Sequence, residues 1–81
     1  MFLFKNKDLI EYHLEIHGMR CGMCESHINS AIRRYFSVFK VKSNRFKNET
    51  IIYSKVELDE ERIKEVIAST GYELKGIRKV N

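Results

Sequence analysis

The sequence predicts an α+β domain, a four-stranded antiparallel sheet with two helices on one face, in the chain order β-α-β-β-α-β. Three observations carry this. Apolar residues alternate with polar ones in "EYHLEIH", and β-branched or aromatic residues enrich "VFKVKSNRF", "ETIIYSK" and "YELKGIRKV". Two stretches between them place apolar side chains at helical spacing: Ile28, Ala31, Ile32 and Tyr35, then Ile63, Val66, Ile67 and Thr70. Eighty-one residues, 43% of them hydrophobic, suit one small domain with a limited core.

The first strand spans residues 11–17. Tyr12, Leu14 and Ile16 turn inward, and Glu11, His13, Glu15 and His17 turn out, with His17 read as solvated. Gly18 opens a short loop holding Cys21, and the first helix is expected over 23–36. A hairpin follows, turning at Lys47 and Asn48, with Lys42–Arg45 as the alternative bend. Asp59 is an N-cap for the second helix, and Glu60 and Glu61 suit the positive end of its dipole. Gly71 ends that helix as a C′ glycine. The last strand is weakened in its middle by Gly76. Two such βαβ halves make a ferredoxin-like sandwich. The domain is expected over residues 11–81, with residues 1–10 as an N-terminal extension.

The formal charge of +4 is a mild excess, weaker than a dedicated nucleic-acid binder carries. It is unevenly placed. Arg33, Arg34, Lys40, Lys42, Arg45 and Lys47 follow one another with no acid between, whereas acids gather at Glu57–Glu65. Such a run is either a solvated face or a docking surface for an acidic partner. The opening "MFLFKNKDLI" has too short an apolar run for a signal peptide, and no stretch is long enough to span a membrane. A cytoplasmic protein with no direct membrane insertion is expected.

The chain has two cysteines, Cys21 and Cys24, spaced C-x-x-C. A close pair points to metal or redox work rather than to a disulfide framework. Cys21 falls in the loop and Cys24 in the first turn of the helix, where unpaired N–H groups and the dipole favour thiolates. Two thiolates make a soft site of low coordination, which suits Cu(I), whereas structural Zn(II) asks for four ligands.

"GMRCGMC" resembles the G-M-x-C-x-x-C signature of the heavy-metal-associated domain family. That family includes soluble copper chaperones and the metal-binding domains of metal-pumping P-type ATPases. "SVFKV" and "GYEL" fall where the family has its later conserved stretches, so the resemblance covers about residues 11–77. It implies that Cys21 and Cys24 are the metal ligands. It implies that Met19 is buried beneath the loop and that Tyr72 shields the site. Arg20, Met23 and Ser37 depart from the family pattern. Arg20 is read as exposed, and Met23 as a loop side chain rather than an extra thioether ligand.

His27 stands three residues after Cys24, a neighbour on a helix. It is read as a surface histidine. As a third ligand it would tilt the site toward a divalent ion such as zinc, cadmium or mercury. A glutaredoxin-like oxidoreductase is the enzyme alternative, but the chain has no proline to face the cysteines. An RNA-binding module on the same topology would use Tyr12 and Tyr53 as stacking aromatics, yet no matching motif is present and the cysteines would go unexplained.

The expectation is therefore a soluble metal carrier and not an enzyme. Cu(I) would be held by Cys21 and Cys24 and passed by thiolate exchange to a copper-transporting P-type ATPase or another thiolate acceptor. No nucleic acid is expected as partner, and the same open site allows a metal-bridged homodimer. A free-standing carrier is expected in preference to an excised transporter domain.

Overall fold

In the computed structural model, which describes residues 9–80, the chain runs β1 (Ile10–His17), α1 (Gly22–Tyr35), β2 (Lys40–Asn44), β3 (Glu49–Ser54), α2 (Glu60–Thr70) and β4 (Glu73–Val80). The strands form one antiparallel sheet in the order β2-β3-β1-β4, which is the ferredoxin-like arrangement. The expected N-terminal extension lies outside the described residues, apart from Leu9 and Ile10, and Ile10 already opens β1.

Alternation builds the sheet's inner face as the sequence predicts. Tyr12, Leu14 and Ile16 of β1, Val41 of β2 and Ile52 of β3 are buried against Ile28 and Ile32 of α1 and Ile63, Val66 and Ile67 of α2. Tyr12 is wholly buried, and its hydroxyl accepts from the Leu58 N–H at 2.8 Å and donates to the Leu58 carbonyl at 3.3 Å. It ties the α2 approach to the central strand and has no free face to stack on a base.

Both ends of α2 are capped as its residues dictate. Asp59 Oδ1 accepts from the Glu61 N–H at 3.0 Å, and Leu58 and Ile63, the two staple positions around the cap, are both buried. Gly71 takes φ 90°, a left-handed value that a side chain resists. Helix α1 starts at Gly22 and stops at Tyr35, one residue earlier at each end than expected. Tyr35 shares the inward stripe by spacing but is half exposed, because Phe36 and Val38 just beyond it fill that edge of the core.

The hairpin turns over residues 45–48. Asn44 Oδ1 accepts from the N–H groups of Phe46 (2.9 Å) and Lys47 (3.2 Å), so the strand ends at Asn44 instead of continuing to Phe46. Asn48 closes the turn at φ 53°, a value asparagine tolerates.

Strand β4 carries a bulge rather than a simple weak point. Glu15 pairs with Gly76 but Ile16 pairs with Leu74, so Lys75 is the extra residue. The bulge lets Leu74 and Ile77, three apart, both pack against the core, which strict alternation forbids. At the other end of this ladder Glu11 pairs with Val80, so the start of β1 and the end of β4 lie side by side.

Candidate metal centre

Three segments meet where β1 ends: the loop from Gly18 to Cys21, the β2–β3 turn, and the start of β4. Antiparallel pairing brings them together, since Glu15 is opposite Glu49 and His17 opposite Glu73. Met19 roots the loop in the core, as the resemblance implies.

Gly18 has two reasons to be glycine. Its φ is 109°, and a Cβ there would stand 3.3 Å from Cδ1 of Tyr72. Replacing Gly18 with alanine is expected to cost roughly 1–2 kcal/mol, through backbone strain and displacement of the ring. Urea denaturation measures it, and unaltered stability would mean that the ring does not press on this glycine.

Cys21 is the N-cap of α1, in extended conformation (φ −155°, ψ 174°), and its side chain makes no capping bond. Its carbonyl accepts from the N–H groups of Cys24 (3.0 Å) and Glu25 (3.3 Å), starting the helix. The helix rise then carries the Cys24 thiol back over Cys21. The two Sγ atoms are 3.5 Å apart, both free thiols, with Cys21 exposed and Cys24 half-buried. The start of α1 favours negative charge here.

The Cys24 thiol is pulled down from 9.0 to about 7, chiefly by a hydrogen bond with the Tyr72 side chain, then by backbone bonding at Arg20 and by Cys21. The same bond holds the Tyr72 phenol above its ordinary value, because a phenol that donates to a thiolate gives up its proton reluctantly. A folded-state value below the unfolded one favours the thiolate fold. That contribution is complete above about pH 9 and fades as the pH falls through about 7. Alkylation of the metal-free protein at Cys24 is therefore expected to rise with pH through a midpoint near 7. Tyr72→Phe should move that midpoint upward. Rate against pH, followed by mass spectrometry, checks this, and an unmoved midpoint would remove Tyr72 as the cause.

Glu25 and Arg45 fix the turn to the helix. The Arg45 N–H donates to Glu25 Oε2 at 2.7 Å, and Nη1 lies 3.3 Å from Oε1. A Cβ on Gly22 would stand 3.7 Å from that same Nη1. Sequence reasoning missed this pair; the partners are 20 residues apart, and no local pattern links them.

The remaining candidates are dispersed. Arg20 and His27 are exposed, and Met23 is 69% exposed. Among the described residues no group of three or more His, Cys, Asp and Glu side chains is placed to hold a metal ion. On the outer sheet face His17 Nε2 lies 2.7 Å from Glu15 Oε2. His17 is half-buried rather than solvated, and so is His13, with Nε2 3.0 Å from Glu11 Oε1 and Nδ1 3.6 Å from Glu49 Oε2.

A βαββαβ sandwich with a dithiol at the start of its first helix defines a class of small metal-binding domains, and comparison with solved structures agrees. The yeast copper transporter domain Ccc2a, solved in apo and Cu(I)-loaded states, is 31% identical; the match covers 80% of this chain and 90% of that one, with a TM-score of 0.70. The CopZ metallochaperone is 24% identical, over 80% of this chain and 98% of its own, with a TM-score of 0.72. The N-terminal domain of ZntA in its Zn(II) form is 18% identical, over 82% and 89%, with a TM-score of 0.72. The latter two speak to the fold. No family model and no curated sequence matches the chain. The chain belongs to the heavy-metal-associated domain family.

Proposed function

We propose that this protein is a cytoplasmic carrier and not an enzyme, and that it binds Cu(I) as cargo through Cys21 and Cys24. The carrier domain spans residues 11–81. The observation behind this is the dithiol itself: two soft donors 3.5 Å apart, one exposed, with no His, Asp or Glu grouped with them among the described residues. Low coordination suits transfer. An incoming thiolate adds as a third ligand, one resident sulfur leaves, and the ion passes without being released. Exposure of Cys21 gives the entering group access, and Tyr72 favours the thiolate form of the more sheltered Cys24. The acceptor is a copper-transporting P-type ATPase or another thiolate protein, docked through the loop and the cations at Lys40 and Lys42. The 31%-identical yeast domain, solved with Cu(I), supports the choice of ion.

Zinc is the second reading, because the same scaffold is solved in a Zn(II) form and His27 lies one turn from Cys24. Competition against Cu(I) and Zn(II) chelators under anaerobic conditions decides between them. One tight Cu(I) site, unaltered in His27→Ala, is the expected result. Tighter Zn(II) than Cu(I) binding, lost in His27→Ala, would replace copper with zinc.

A further inference from the structure

The turn fastened to the start of α1 carries an aromatic side chain for which the metal chemistry has no use. Phe46 is 81% exposed at the apex of the β2–β3 turn. The turn nevertheless holds it. Its N–H donates to Asn44 Oδ1 at 2.9 Å, and the Arg45 guanidinium lies 4.5 Å from its ring centroid. Arg45 is fastened to Glu25 of α1 and reaches Gly22, so the tip and the metal loop form one surface. Met23, also exposed, follows directly.

The charge around this ring is mostly positive. Arg45 and Lys47 flank it, Lys42 is exposed on β2, and Arg20 is exposed in the metal loop. Against them stand Glu25, already bonded to Arg45, and Glu49 at the base of the turn, which faces His13. The ring protrudes with the Arg45 guanidinium over it and Lys47 next in the turn. It suits a yielding surface, where the ring enters the headgroup–acyl boundary and the cations meet anionic headgroups.

We propose that this end of the domain docks on an anionic lipid surface through Phe46 and Met23, with Lys47, Lys42 and Arg20 supplying the charge. The contact is peripheral and reversible, and it needs no metal. It brings Cys21 to the membrane face, where a membrane-embedded acceptor would open.

The test is co-sedimentation of the metal-free full chain with phosphatidylcholine vesicles, with and without 30 mol% phosphatidylglycerol. Binding is expected only to the anionic vesicles and should fall severalfold on raising salt from 0.1 to 0.5 M. Phe46→Ser should weaken it about tenfold, as loss of a partly buried ring implies, and Lys47→Glu should weaken it further. Phe39→Ser serves as the control, since Phe39 is 60% exposed but lies beside Tyr53, away from the metal loop. Equal binding to neutral vesicles, no effect of Phe46→Ser, or an equal effect of Phe39→Ser would each overturn the proposal. So would Phe46→Ser slowing Cu(I) transfer to the yeast copper transporter domain while vesicle binding is absent, which would assign the tip to a protein contact.

Discussion

Cys24→Ser is expected to abolish tight Cu(I) binding, and Cys21→Ser to do the same. A single thiolate cannot hold a two-coordinate ion, and a serine hydroxyl is a hard, protonated donor that Cu(I) disfavours. The loss should exceed the roughly 10–100-fold that removing an outer-shell partner costs a metal site. Folding should survive both changes. Cys21 is exposed and makes no side-chain cap, and serine is itself a good N-cap, so α1 loses nothing at its start. Anaerobic titration against a strong Cu(I) chelator measures the effect. Retained affinity in the double variant would refute these ligands outright, whatever the family likeness.

Ile28→Ala is expected to cost about 2–5 kcal/mol, the usual range for truncating a buried aliphatic side chain. Ile28 has no exposure and lies one turn beyond Cys24, where α1 meets the core. It shares one core cluster with Tyr12, Ile16 and Met19, which belong to the strand and loop that carry the site. Against a total of about 5–15 kcal/mol for a domain, this is a large share. Urea midpoints give the value. A loss below about 1 kcal/mol would mean that the helix–sheet contact collapses to fill the gap. Copper affinity of the folded fraction should change far less, because the thiols keep their backbone frame.

What was legible in the sequence is what is set locally. Asp59 and Gly71 mark the ends of α2 because caps involve residues within a turn of one another. Cys21 and Cys24 declare themselves for the same reason: the helix rise alone brings them together. The alternation at Tyr12, Leu14 and Ile16 fixed which face of β1 is buried. The contacts that complete the site are of another kind. Tyr72 beside Cys24 and Arg45 beside Glu25 join distant segments, and only the sheet register creates them. Tyr72 was anticipated through family likeness, Arg45 not at all. Two local signals were present but misread. Leu74 and Ile77, three apart in a strand, announce a bulge, whereas Gly76 drew attention as a weak point. Asn44 can turn the chain through its own side chain, and that brings the turn forward to residue 45.

The pairing of Glu11 with Val80 has a consequence for how such a domain can be used. The backbone enters β1 and leaves β4 on adjacent strands, at the pole farthest from the thiols. A link made at Glu11 or Val80 therefore starts from the end of the sheet opposite the loop that carries Cys21. The domain is in this sense a plug with its cable at the back. A tether fixed at that end leaves the dithiol uncovered.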